Sequence, residues 1–119
     1  DRVDPTETTY ITEGPLDSLF LDNAVAMAGS DIDKTFFDDF SNVVFIYDNE
    51  PRNKEIVNRM SKVIEQEFNI VVWPNDMRHK DINDMIVAGL TKQEISDSIS
   101  TNTYSKLSAL TKLNYWKKI

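Results

Sequence analysis

Glu13-Gly14, Asp48-Asn49-Glu50 and Lys80-Asp81-Ile82-Asn83-Asp84 are the groups in this chain whose residue types and spacing suit chemistry. The first two directly follow runs that read as β-strands, Thr9-Tyr10-Ile11-Thr12 and Val43-Val44-Phe45-Ile46-Tyr47. The third follows Ile70-Val71-Val72-Trp73 after a short loop. In a parallel α/β sheet the carboxyl ends of the strands share one edge, where ligands bind. The acids would then gather, and packed carboxylates repel each other and hold protons unless a cation sits among them. A divalent-metal site is the economical reading. The chain has no cysteine and a single histidine, His79, so thiolate and histidine-rich centres are excluded. Hard oxygen ligands remain, which suit Mg²⁺, Mn²⁺ or Ca²⁺.

Each group also has an ordinary structural reading. Glu13 can be a solvated turn acid, with Gly14 permitting a tight turn or a close approach by phosphate. Asp48-Asn49-Glu50 can be a polar strand-to-helix loop. Alternatively, its two acids flank one residue and can aim at one ion while Asn49 points away. Asp81 can cap a helix, and Asp84 lies where the helix dipole favours an acid. Asp17 is a first-turn acid or a supporting group behind a metal. Taken together, acids after three successive strands are hard to dismiss as loop decoration.

The elements that must position these acids follow from pattern. The chain's 119 residues, 40% of them hydrophobic, suffice for one core. Residues 1–6 read as a linker or frayed end and about 7–12 as the first strand. Gly14-Pro15 turns the chain, and a short helix suits Asp17-Ser18-Leu19-Phe20-Leu21. A second short apolar run, Ala24-Val25-Ala26-Met27-Ala28, stops at Gly29-Ser30, and Asp31 or Asp33 can cap a helix running to Phe40. Residues 42–47 read as the third strand. They are continuously apolar and branched, as a strand buried on both faces requires. A long helix is expected over about 53–68, with Ile56, Met60, Val63, Ile64 and Phe68 on one face. A fourth strand, 69–73, precedes Pro74-Asn75-Asp76. A helix capped by Asp81 and ended by Gly89 comes next, then one opened by the capping-box pattern Thr91-Lys92-Gln93-Glu94. The last runs from Tyr104 to Trp116, with Leu107, Leu110 and Leu113 on one side. Alternating strands and helices predict a doubly wound, mostly parallel sheet of about four strands, with helices on both faces and a C-terminal helical tail.

Charge narrows the function classes. Residues 1–40 carry ten acids and two bases, and residues 41–119 carry ten acids and eleven bases, for a net −7. A module gripping nucleic acid unaided should be basic. Here metal ions or another part of a longer protein must supply positive charge. No apolar run approaches the roughly 20 residues of a membrane helix. The polar start Asp1-Arg2-Val3-Asp4-Pro5 lacks signal-peptide character and an initiator methionine, which suggests a fragment of a longer protein.

Glu13-Gly14-Pro15-Leu16-Asp17, Asp48-Asn49-Glu50 and Lys80-Asp81-Ile82-Asn83-Asp84, in that order, resemble the signature of the Toprim domain over about residues 7–90. That domain occurs in bacterial-type primases, type IA and type II topoisomerases and some nucleases. A narrower likeness, to the DNA primases of T-even-type phages and related cyanophages, rests on four segments. They are Glu13-Gly14-Pro15-Leu16-Asp17-Ser18-Leu19-Phe20-Leu21, Met27-Ala28-Gly29, Tyr47-Asp48-Asn49-Glu50-Pro51-Arg52-Asn53-Lys54 and Lys80-Asp81-Ile82-Asn83-Asp84-Met85. The resemblance implies a Rossmann-like Toprim fold over residues 7–90, with 91–119 a helical extension packed on the same domain. One departure stands out: the second acid of the family's D-x-D pair is Glu50, whose longer arm would seat a metal differently.

The resemblance implies template-directed joining of ribonucleotides on single-stranded DNA, where a 3′-hydroxyl attacks an α-phosphate and pyrophosphate leaves. Asp48, Glu50, Glu13 and Asp81 would bind Mg²⁺ or Mn²⁺, and Glu13, Asp48 and Glu50 would be catalytic. Gly14, Asp17 and Asp84 would support them. Arg52, Lys54, Arg78 and Lys80 flank the acids as candidate phosphate contacts, or simply as solvated bases beside acids. The zinc-binding and basic template-binding parts of such primases would precede Asp1 in a full-length parent. Little primer synthesis is therefore expected from these residues alone. The implied partners are single-stranded DNA, ribonucleoside triphosphates and a replicative helicase, and the implied location is cytoplasmic, in a host cell if phage-encoded. A Toprim-type metal-dependent nuclease and a non-catalytic helicase-docking module are the alternatives.

Overall fold

A computed structural model describes residues 7–14, 20–21, 23–26 and 40–118. Asp17, most of the short helix expected after it, and the helix expected before Phe40 lie outside the described residues. The described residues form a five-stranded sheet: β1 (Thr8–Thr12), β2 (Ala24–Ala26), β3 (Asn42–Ile46), β4 (Asn69–Val71) and β5 (Thr103–Tyr104). The order is β2-β1-β3-β4-β5. β1 pairs in parallel with both β2 and β3, and β3 in parallel with β4, while β5 runs antiparallel to β4. Four helices are described: α1 (Lys54–Glu65), α2 (Ile82–Val87), α3 (Lys92–Thr101) and α4 (Lys106–Trp116). This is the mostly parallel α/β architecture read from the sequence, compatible with a Rossmann-like fold.

Alternation along β3 explains the three layers. Val43, Phe45 and Tyr47 enter a core with Ile56, Met60 and Val63 of α1 and Ala109, Leu113 and Trp116 of α4. Val44 and Ile46 enter a second core with Ile82 and Met85 of α2 and Ile95 and Ile99 of α3. Successive strand residues point to opposite faces, so a continuously apolar strand must be covered on both. The helices on both faces supply that cover, and the C-terminal segment contributes to each core.

Helix ends follow local chemistry. Asn53 caps α1, its Oδ1 accepting from Glu55 N–H at 3.0 Å and Ile56 N–H at 3.2 Å. α1 stops at Glu65, short of the expected residue 68, because Glu67 takes a left-handed φ of 66°. Phe68 lies beyond the helix and packs on Phe45 at a ring separation of 5.2 Å. α2 ends in a Schellman turn: Leu90 N–H donates to Met85 C=O and Gly89 N–H to Ile86 C=O, both at 3.0 Å. Gly89, at φ 101°, occupies the left-handed position that favours glycine. Thr91 and Glu94 form the expected reciprocal capping box at α3.

Two expectations are corrected. The sheet has a fifth strand, because Thr103-Tyr104 joins β4 before the last helix begins at Lys106. The buried face of that helix is Ala109, Leu113 and Trp116, whereas Leu107 is 75% and Leu110 42% exposed. Of the three leucines expected on one side, only Leu113 lies in the core, because the buried stripe runs through Ala109 and Trp116 instead of Leu107 and Leu110.

Candidate active site

The strand order places a topological switch point at the carboxyl ends of β1 and β3. β1 is flanked by β2 on one side and β3 on the other, so the chain crosses over β1 between them. Open α/β sheets bind ligands in the crevice outside such a point. Thr12 lies beside Ile46 in the β1–β3 register. Glu13 is therefore one residue past this pair on β1, and Asp48 two residues past it on β3. Adjacent strands lie about 4.8 Å apart.

Glu13 is mostly covered, its side chain 19% exposed, and its Oε1 lies 3.3 Å from Nη1 of Arg59 on α1. Arg59 also pairs with Glu55, one turn earlier on the same helix. The Arg59 guanidinium is held above its ordinary range; desolvation opposes this, and the charges of Glu13 and Glu55 outweigh it. Burial pushes the Tyr47 hydroxyl well up, the Glu13 charge adds to the rise, and Arg59 opposes it. Glu13, Arg59 and Tyr47 thus form one electrostatic cluster where β1, β3 and α1 meet. The Thr12 hydroxyl donates to Gly14 C=O at 3.1 Å, shaping the turn after β1.

The loop after β3 is built around Asn49. Its amide Nδ2 donates to Met77 C=O at 2.9 Å and to His79 C=O at 3.2 Å. Its backbone N–H donates to Lys80 C=O. Its Oδ1 accepts from the Trp116 indole N–H at 2.9 Å. One side chain therefore ties the β3 loop to the 77–80 loop and to the end of α4. The Trp73 indole N–H donates to Tyr47 C=O at 3.1 Å. Lys118 N–H donates to Pro51 C=O at 2.8 Å. The acids on either side, Asp48 and Glu50, are both partly exposed.

Glu50 Oε1 lies 3.4 Å from Lys80 Nζ, and Glu50 Oε2 accepts from the α1 cap Asn53 at 3.0 Å. The Lys80 ammonium is held above its ordinary value first by the Glu50 charge and hydrogen bond, then by Asp48 and more weakly by Asp81. Of these acids Glu50 is the one in direct contact with Lys80, while Asp48 and Asp81 act on it only through their charge. Asp81 also caps α2, accepting from Asp84 N–H at 2.8 Å, and Asp84 is exposed in the first turn. Arg52, Lys54 and Arg78 are exposed. Arg52 lines an open hollow of about 640 Å³ with Glu50, Pro51, Asn53 and Lys118.

Glu13 does not join the other carboxylates in a ready-made cage. No group of three or more acidic or histidine side chains is gathered to hold a metal among the described residues. Its carboxylate faces Arg59, and Glu50 faces Lys80. The donor chemistry still fits a hard divalent cation. Mg²⁺ takes one or two carboxylates and completes its shell with water and phosphate oxygens, so a closed protein cage is not required. Lys80 and Arg59 mark positions where positive charge is stabilised. Arg59, Asn49, Trp73 and Trp116 were not singled out from sequence. Asn49 stood in plain view between the two acids, but its partners lie 28 to 67 residues away.

No family model matches the chain. A DNA primase of Enterobacteria phage T4 is 33% identical over 112 residues, covering 92% of this chain. The chain is related to a phage primase. It spans about a third (33%) of that protein's length. A match this long takes in every acid from Glu13 to Asp84. No described helix is long and apolar enough to cross a membrane.

Proposed function

We propose that this chain is the metal-binding catalytic portion, Toprim in type, of a DNA primase that makes RNA primers on single-stranded DNA. The observation that carries the reading is the coincidence of primase similarity with acids at the β1/β3 switch point. Asp48 and Glu50 would hold Mg²⁺ or Mn²⁺, with Asp81 at the margin and Glu13 contributing from the neighbouring strand. When bound, the metal supplies charge stabilisation to the attacking and leaving oxygens of the phosphoryl transfer. The remaining work belongs to the chain. Glu13 would accept the proton of the attacking 3′-hydroxyl once a ligand draws it from Arg59. Lys80 and Arg52, which lie beside Glu50, would meet triphosphate oxygens. Asn49 holds the two acids in register. Such a site acts by positioning and charge compensation and needs no covalent nucleophile.

In the full-length parent, Asp48→Asn should lower primer synthesis by at least about 100-fold, as loss of a preorganised charge does. Ribonucleotide incorporation on a single-stranded template, run beside a metal-dependent cleavage assay, tests this. Cleavage without synthesis would replace the primase reading with a nuclease one. Within the same proposal, a replicative helicase is a partner of the parent, and the 119-residue chain alone makes little primer.

A further inference from the structure

A second cleft lies on the other side of the acid loop, between the β4–β5 edge and α4. It has a volume of about 330 Å³, and its lining includes Trp73, Asn75, Tyr104, Lys112, Tyr115 and Trp116. Tyr115 is 81% exposed, so its ring is open to solvent at the mouth of the cleft. Lys112 Nζ sits 5.2 Å above the Tyr104 ring, so a cation and an aromatic face are already held together. Trp73 and Trp116 are only 3% and 4% exposed and border the cleft from below. Their indole N–H groups point the opposite way, to Tyr47 C=O and Asn49 Oδ1, on either side of Asp48.

The open Tyr115 ring, the amides of Asn75 and Asn102 and one lysine in a shallow cleft match the chemistry of a nucleotide. Bases stack on aromatic side chains whatever their sequence, amides meet base edges, and an ammonium meets phosphate. We propose that this cleft binds a nucleobase, stacked against Tyr115, with its phosphate toward Lys112. The base belongs to a single DNA strand or to a free ribonucleotide. The inference rests on the nucleotide-handling role above and adds a binding site distinct from the acids. Because the indoles bordering the cleft hold the backbone around Asp48, a base bound here would be coupled mechanically to the acid loop.

The chain's two tryptophans both line this cleft, so intrinsic fluorescence reports on it directly. The 119-residue chain would be titrated in EDTA with a short oligothymidylate and, separately, with ATP. The expected result is saturable quenching by at least one of them. Tyr115→Ala should shift its midpoint at least about fivefold, and Tyr115→Phe should leave it in place. Lys112→Gln should flatten the salt dependence of oligothymidylate binding. Response to the oligonucleotide at lower concentration assigns the base to a strand, and response to ATP first assigns it to a free nucleotide. No saturable change with either ligand overturns the proposal, as does an unchanged midpoint in Tyr115→Ala. Mn²⁺ binding in the same preparation without EDTA reports the acid site separately, so the two readings can fail independently.

Discussion

At the residue scale, two acids of the candidate site already have a positively charged companion, Arg59 for Glu13 and Lys80 for Glu50. Each companion neutralises a carboxylate that a metal would otherwise claim. Lys80 is well exposed, so its pairing with Glu50 is weak and competes with metal rather than blocking it. Lys80→Gln should therefore tighten Mn²⁺ binding by up to about fivefold, the scale of an exposed ion pair. The same substitution should weaken triphosphate binding if Lys80 meets phosphate. Water-proton relaxation with Mn²⁺, and nucleotide titration of the parent, would check the two effects. Tightened metal with unchanged nucleotide affinity would remove Lys80 from the phosphate contacts. The acids and their order were legible because strand-terminal carboxylates form a local pattern. Arg59 was not, because on a helix it reads as an ordinary i,i+4 partner of Glu55, and only the fold brings it to Glu13.

At the element scale, boundaries followed side-chain chemistry wherever a cap was present. Thr91 and Glu94 show the pattern most fully, and Glu94 carries a pH signature. Hydrogen bonding to the Thr91 backbone N–H, then to its hydroxyl, holds the Glu94 carboxyl below its ordinary 4.5. A folded pKa below the unfolded one gives a contribution that is whole above the unfolded value. It is lost as pH falls through the folded value. Wild type should thus melt higher than Glu94→Gln at neutral pH, and the gap should close as pH drops below about 4.5. A gap independent of pH would contradict the role of the ionised form. Elements without a local signal were harder to place. β5 is two residues long, and nothing in Thr103-Tyr104 distinguishes it from the start of a helix. Its identity comes from the antiparallel ladder with Ile70 and Val71, a partnership set by the whole sheet.

At the scale of the whole molecule, the C-terminal segment is part of the structure that holds the site. α4 places Ala109, Leu113 and Trp116 in the core shared with β3 and α1, and Trp116 reaches Asn49 between the two acids. Deleting residues 103–119 should abolish cooperative unfolding, because it strips one core of its second helix and β4 of its edge partner. Circular dichroism on heating would show this. A truncated chain that still melts cooperatively, and in the parent loses only helicase binding, would make the segment a docking arm instead. Its apolar residues were visible in the sequence, but which of them face inward was not. Leu107 and Leu110 share the helical spacing of Leu113, yet only Leu113 lies in the core.

The central claim is that Asp48 and Glu50 hold a divalent ion at the carboxyl edge beside Glu13. Mn²⁺ binding to the 119-residue chain, followed by electron paramagnetic resonance, tests it most directly. The account predicts weak, saturable binding that Mg²⁺ displaces and that disappears in Asp48→Asn/Glu50→Gln. Equal Mn²⁺ affinity in wild type and in that double variant, with both folded, would contradict it.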